Sequence, residues 1–164
     1  MKPRELLAIY LRSVILGVED SLVSTVGLLS GIAVSGVLRA DIIVTGLILL
    51  AVEGFSMAAG EFLSERSVEE YTGQGSTPIH YAFMAGLLMF CSYVIAGMIP
   101  LLPYFFIDDH PFRYSILLSL VALFALGSIS ARKFRVHWVS RGIRMLIIGG
   151  VAIALGIIVG GLLK

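Results

Sequence analysis

The chain carries little charge. Only 14% of its 164 residues are Asp, Glu, Lys or Arg, and 58% are hydrophobic, whereas about 25% of a typical soluble domain is charged. The formal net charge of +1 argues against a nucleic-acid-binding surface. A single cysteine, Cys91, excludes a disulfide within the chain. The sequence also has no GxSxG, HExxH or CxxC motif and no phosphate-binding glycine loop, so we do not expect an enzyme.

Long apolar runs take the place of the missing charge. A helix needs about 20 apolar residues to cross a bilayer, and five segments come close to that length or exceed it. They are residues 14–38, 42–63, 81–103, 114–131 and 143–163. We therefore predict an all-α membrane protein, with residues 1–164 forming a single transmembrane domain of five spans. A tight turn at Arg39–Asp41 is expected to join the first two spans.

The basic residues predict the orientation, because Lys and Arg favour the cytoplasmic side. One set of span ends holds Lys2, Arg4, Arg12, Arg66, Arg132, Lys133, Arg135, Arg141 and Arg144, and the other holds Arg39, Arg113 and Lys164. We expect the N-terminus and the loops Ser64–His80 and Arg132–Arg144 to be cytoplasmic. The protein would lie in the plasma (inner) membrane of a prokaryote or in a vacuolar-type membrane of a eukaryote.

Acidic residues lie inside the first two spans. Asp20, with Glu19 beside it, is in the first span, and Glu53 is near the middle of the second. A carboxylate at bilayer depth costs roughly 2.5–3.5 kcal/mol on insertion scales. Such groups must therefore face a partner, a water-filled cavity or an ion. For Asp20, the alternatives to a functional role are structural: capping a broken helix or pairing with Arg12.

The second span carries a stripe of possible metal ligands. Glu53, Met57 and Glu61 are four residues apart and share one helix face. At 1.5 Å per residue, Glu61 lies about 4 Å from the cytoplasmic edge, Met57 about 10 Å and Glu53 about 16 Å. Asp20 would also lie about 10 Å deep, level with Met57. Oxygen and sulfur together suit ferrous iron or manganese better than calcium. Alternatively, Met57 packs in the core and Glu61 is solvated.

Two further patterns have both a structural and a functional interpretation. Gly27, Gly31 and Ser35 mark either close packing within one subunit or a homodimer seam. Five spans enclose little interior for carboxylates, so we expect a homodimer. In the third span, Met84, Cys91 and Met98 recur every seven residues. They form either a core seam, which we favour, or a path for a soft ion.

Four segments resemble the vacuolar iron transporter family. They are Gly17–Val23 (GVEDSLV), Gly54–Ser64 (GFSMAAGEFLS), Gly97–Phe106 and Leu146–Gly150. The resemblance implies a five-helix homodimer that moves Fe²⁺ or Mn²⁺ out of the cytoplasm in exchange for protons, with no tightly bound cofactor. By the same resemblance, Asp20 and Met57 match the transport-site aspartate and methionine, and Glu61 matches the glutamate of the second-helix motif.

The chain departs from better-known family members at two places. Between the second and third spans, better-known members of the family have a long, acid-rich metal-binding domain. This chain has only the short loop Ser64–His80 there, with the acids Glu65, Glu69 and Glu70. Plant-type members carry a membrane glutamate where this chain has Leu49, and Glu53 lies one turn before Met57 instead. The sequence therefore predicts metal ligands at Asp20, Glu53, Met57 and Glu61. The alternative functions are a proton-coupled exporter of small organic cations and a membrane scaffold that transports nothing.

Overall fold

A computed structural model describes residues 3–72, 78–133 and 137–163, and these ranges are helical apart from short connections. The helices are α1 (Pro3–Ser35), α2 (Arg39–Thr72), α3 (Ile79–Phe106), α4 (Pro111–Lys133) and α5 (Trp138–Leu162). Lys2, Arg135 and Lys164, which entered the orientation prediction, lie outside the described residues, as do residues 73–77 of the predicted loop.

The turn between α1 and α2 is earlier than predicted. It is formed by residues 36–38 and not by Arg39–Asp41, which begin α2. Gly36 has a φ of +86°, in the left-handed region that glycine enters without steric penalty and that commonly ends a helix. Asp41 then lies in the first turn of α2, where a negative charge is favoured by the helix dipole.

Helix α2 is longer than the predicted second span. It continues past Leu63 to Thr72, so half of the predicted loop Ser64–His80 is helical. Arg66 contacts Glu69 at 2.9 Å and Glu70 at 4.0 Å, which are helical i,i+3 and i,i+4 pairs. Such pairs stabilise an exposed helix modestly. Only six residues separate α2 from α3.

Helix α1 is the centre of the bundle. It contacts each of the other four helices, and α2–α3, α3–α4 and α4–α5 are also neighbours. The other helices therefore form an arc around α1. Within the described ranges α2 and α5, at the two ends of this arc, do not touch each other. One side of α1 consequently remains open between them, and Leu16 on α1 is 41% exposed.

Four helices, α2 to α5, are long and apolar enough to cross a membrane. The first predicted span falls in α1, which has sufficient length at 33 residues. Its membrane-level residues include Glu19, Asp20 and several serines, which lower its hydropathy. Length and composition alone thus identify four of the five predicted spans.

Glycines bring α1 and α5 into close contact. A side chain at Gly156 would collide with the carbonyl of Gly27, and one at Gly160 would collide with the backbone of Gly31. Backbones approach this closely only between small residues. The Gly27 and Gly31 face of α1 is therefore occupied by α5 of the same chain. The structure supports packing within one subunit for this stripe, and the homodimer seam that we considered there is wrong.

One of the two buried core clusters lies where α1, α2 and α3 meet. Its buried residues are Leu29, Ile42, Leu50, Tyr93, Leu101 and Tyr104. Met57 and Met98 pack against this cluster from its edge. Met84 and Cys91, by contrast, are exposed on α3. The favoured core seam through Met84, Cys91 and Met98 is therefore wrong for its first two members.

Candidate metal site

Glu61 joins α1 to α2 at one end of the bundle. Its side chain is only 7% exposed. One of its oxygens, Oε1, accepts hydrogen bonds from Ser13 Oγ at 2.5 Å and from Arg12 Nη2 at 3.1 Å. The same Arg12 nitrogen lies 2.7 Å from Glu65 Oε1. Hydrogen bonding to two carboxylates raises the pKa of the Arg12 guanidinium, with the bond to Glu61 as the largest cause.

The contact between Ser13 and Glu61 sets the register of the two antiparallel helices. Asp20 is seven residues on from Ser13, and Gly54 is seven residues back from Glu61, so these two positions lie at the same level. Glu53 is next to Gly54, and the charges of Asp20 and Glu53 are close enough to repel each other. The predicted pairing of levels is thus shifted by one helical turn, because Asp20 is level with Glu53 and not with Met57.

Neither Asp20 nor Glu53 has a compensating partner in the described part of the chain, where no hydrogen bond or ion pair reaches either carboxylate. The alternative pairing of Asp20 with Arg12 does not occur, since Arg12 contacts Glu61 and Glu65. Glu53 is exposed at the surface of the subunit, and Asp20 is partly buried. The structure therefore places two acids without a cationic partner at the same level, inside two predicted spans.

Met57 lies one turn from Glu53 and one turn from Glu61 on α2. Its side chain is partly buried and packs against the core cluster that contains Tyr93. The sulfur thus lies between the two levels of carboxylate along the helix. From this position Met57 can either pack in the core or act as a metal ligand, because its thioether side chain is flexible.

Tyr93 is a polar neighbour of the acids that the sequence did not reveal. It lies on α3, is fully buried, and its hydroxyl is 2.9 Å from Ser24 Oγ. Its hydroxyl is within electrostatic reach of both Asp20 and Glu53. Ser21 Oγ also donates to the Tyr93 carbonyl at 2.6 Å. In the sequence, the signals for this contact are a tyrosine inside an apolar span and two serines, Ser21 and Ser24, spaced three residues apart on α1.

Glu19 faces a different environment from Asp20. It lines an open groove of about 690 Å³ on the surface of α1, together with Arg4, Leu7, Arg12 and Arg141. The charge of Arg141 attracts the Glu19 carboxylate. Glu19 therefore has a basic neighbour from α5, whereas the charge that acts on Asp20 from α2 is that of another acid, Glu53.

The described residues of one subunit do not by themselves assemble a full set of metal ligands. Over residues 3–72, 78–133 and 137–163, no group of three or more His, Cys, Asp or Glu side chains is arranged to hold a metal ion. Asp20 and Glu53 supply two carboxylates, of which Glu53 is exposed at the subunit surface and Asp20 is partly buried. A metal ion at this level would need further ligands from outside the subunit or from water.

Comparison with known proteins places the chain among membrane transporters. The family model of the VIT family matches residues 11–77 and 76–161. The chain is 31% identical to vacuolar iron transporter homolog 5 of Oryza sativa subsp. japonica, over 92% of this chain and 78% of that protein. It is 28% identical to vacuolar iron transporter homolog 4 of Arabidopsis thaliana, over 89% of this chain and 80% of that protein.

Proposed function

The chain belongs to the VIT family, and from this premise we propose that it carries Fe²⁺ or Mn²⁺ out of the cytoplasm in exchange for protons. It is an integral, multi-pass membrane protein. The names of its plant relatives support iron as the transported metal. Under the proposal, α1 also crosses the membrane, which makes five spans in all, and the N-terminus is cytoplasmic, as the distribution of basic residues indicates.

One observation carries this proposal. Asp20 and Glu53 lie at the same level inside the predicted spans of α1 and α2, with no cationic side chain of the described residues to neutralise them. Intramembrane acids without a partner are costly and mark ion or proton pathways. A divalent cation bound between them would remove both the desolvation cost and their mutual repulsion. A pair of ordinary structural acids would instead be expected to contact a basic residue.

We further propose that the site is completed by a second copy of the chain. Glu53 and Ser56 are exposed on α2, as is Gly60, where an added side chain would meet nothing within 4 Å. This stripe of polar and small residues is poorly suited to lipid tails but suits close helix packing. Twofold pairing on this side would bring two sets of Asp20, Glu53 and Met57 face to face. The homodimer would then hold four carboxylates and two thioethers.

Coupling to protons follows from the ligand chemistry. A carboxylate in a dry site is tolerated when it is neutralised, and either a metal ion or a proton does this. Metal and protons therefore compete for the same oxygens, so binding of one releases the other. Helices shifting around this fixed site would open it to each side of the membrane in turn. Glu61 would meet the ion first on the cytoplasmic side.

Transport by purified protein in liposomes tests the proposal. Vesicles with a pH gradient should take up Mn²⁺ or Fe²⁺ while an internal pH dye records proton exit. Asp20→Asn should abolish both signals and leave the protein folded. Glu70→Gln, which neutralises an exposed acid on α2 outside the span, should transport normally. Normal metal-driven proton flux in Asp20→Asn, or flux driven only by small organic cations, would contradict the assignment.

A further inference from the structure

A single nitrogen atom of Arg12 bridges Glu61 and Glu65 at the end of the bundle that the proposed function places on the cytoplasmic side. Arg12 Nη2 lies 3.1 Å from Glu61 Oε1 and 2.7 Å from Glu65 Oε1. The guanidinium thus occupies the position between two carboxylates that an arriving cation would take. We propose that Arg12 is a gating residue, a tethered cation that metal must displace to reach Glu61. This inference rests on the proposed transport function.

The charge balance at this point favours exchange. Two carboxylates share one guanidinium, which leaves a local net charge of −1. A divalent cation in the same position would neutralise both glutamates, whereas a monovalent one would only replace the charge of Arg12. The arrangement therefore discriminates by charge, because only a dication gains from displacing the arginine.

The burial of the three side chains indicates which one moves. Arg12 is 57% exposed, whereas Glu61 is 7% exposed and Glu65 15%. Glu61 is also held by Ser13, whose hydroxyl donates to the same oxygen. The glutamates are therefore fixed, and the long arginine side chain is the part free to swing toward water.

The gate lies in line with the deeper acids. Glu61 and Glu53 are eight residues apart on α2, a rise of about 12 Å. An ion that displaces Arg12 and binds Glu61 would next pass Met57 and reach the level of Asp20 and Glu53. Once it has moved on, the guanidinium can return to Glu61. The mouth would then be closed while the deeper site opens toward the other side.

Removing the guanidinium should ease metal binding. In proteoliposomes, Arg12→Gln is expected to lower the half-saturating Mn²⁺ concentration by about tenfold, since charge-assisted hydrogen bonds to Glu61 no longer compete. The Mn²⁺-induced rise in melting temperature should increase in the same variant. Arg12→Lys, which keeps a tethered cation, should return both values toward the wild type. Arg66→Gln, which removes an arginine whose partners are Glu69 and Glu70, should leave both unchanged.

A structural clamp would behave differently. It would give Arg12→Gln a lower melting temperature with an unchanged half-saturating Mn²⁺ concentration, and that result would overturn the gate. Glu65→Gln provides a second test if Arg12→Gln does not fold. It removes one of the two carboxylates that a dication would neutralise, so the half-saturating Mn²⁺ concentration should rise. No change or a fall would also overturn the inference. Absence of both Mn²⁺ and Fe²⁺ transport by the wild-type protein would instead refute the proposed function.

Discussion

Replacing Glu53 by glutamine separates a transport acid from a structural one. Glu53 is exposed on the subunit surface and has no ion-pair partner among the described residues. The substitution keeps the shape of the side chain and removes only the charge. If the acid awaits a metal ion, the metal-free variant should be at least as stable as the wild type. If it completes a buried ion pair, the variant should be much less stable.

The expected magnitudes are far enough apart to decide. Losing one member of a buried pair costs about 3–5 kcal/mol. Neutralising an unpaired acid should cost nothing and should recover part of the roughly 2.5–3.5 kcal/mol insertion penalty. A change of 1 kcal/mol moves the melting temperature by about 2–4 °C in a protein of this size. We therefore expect a melting temperature between the wild-type value and about 6 °C above it, in contrast to a fall of 6 °C or more.

Adding Mn²⁺ should make the wild-type protein more stable than Glu53→Gln, the reverse of the order expected without metal. At a concentration 100 times the dissociation constant, a ligand adds about 2.7 kcal/mol of stability, or about 5–11 °C. Wild-type protein in detergent should show this rise with Mn²⁺, and Glu53→Gln should lose most of it. Thermal unfolding of both proteins with chelator and with Mn²⁺ gives all four values. A fall in the metal-free variant, or an undiminished Mn²⁺ effect, would refute the reasoning.

Two further predictions concern helix packing. Gly156→Ala should destabilise the protein by about 1–3 kcal/mol, because the new methyl group meets the backbone of Gly27. The control is Gly150→Ala on the same helix, which should not change the stability because nothing lies within 4 Å of the added methyl group. Equal melting temperatures for the two variants would argue against the close α1–α5 contact. In a background with Cys91 replaced by serine, Gly60→Cys should form a covalent dimer with a short bifunctional maleimide; only monomer in native membranes would count against pairing on this face.

The sequence located the acids, but the depth that it predicted for Asp20 relative to α2 is wrong by one helical turn. Counting from assumed membrane edges put Asp20 level with Met57. The contact between Ser13 and Glu61 instead aligns Asp20 with Glu53. Depth counting depends on where each helix enters the membrane, and α2 continues well beyond its apolar run to Thr72. Helix offset is set by side-chain contacts between helices, which no single segment encodes.

The sequence alone determined the class of the protein and the presence of charge where charge is costly. Apolar length and the positions of acids are local properties, and they can be read without knowing which helices meet. Only the tertiary structure decided that Gly31 packs on α5, that Arg12 holds two glutamates, and that Tyr93 lies beside the acids. Each of these joins residues far apart in the chain, so they depend on how the helices cross and not on any one helix.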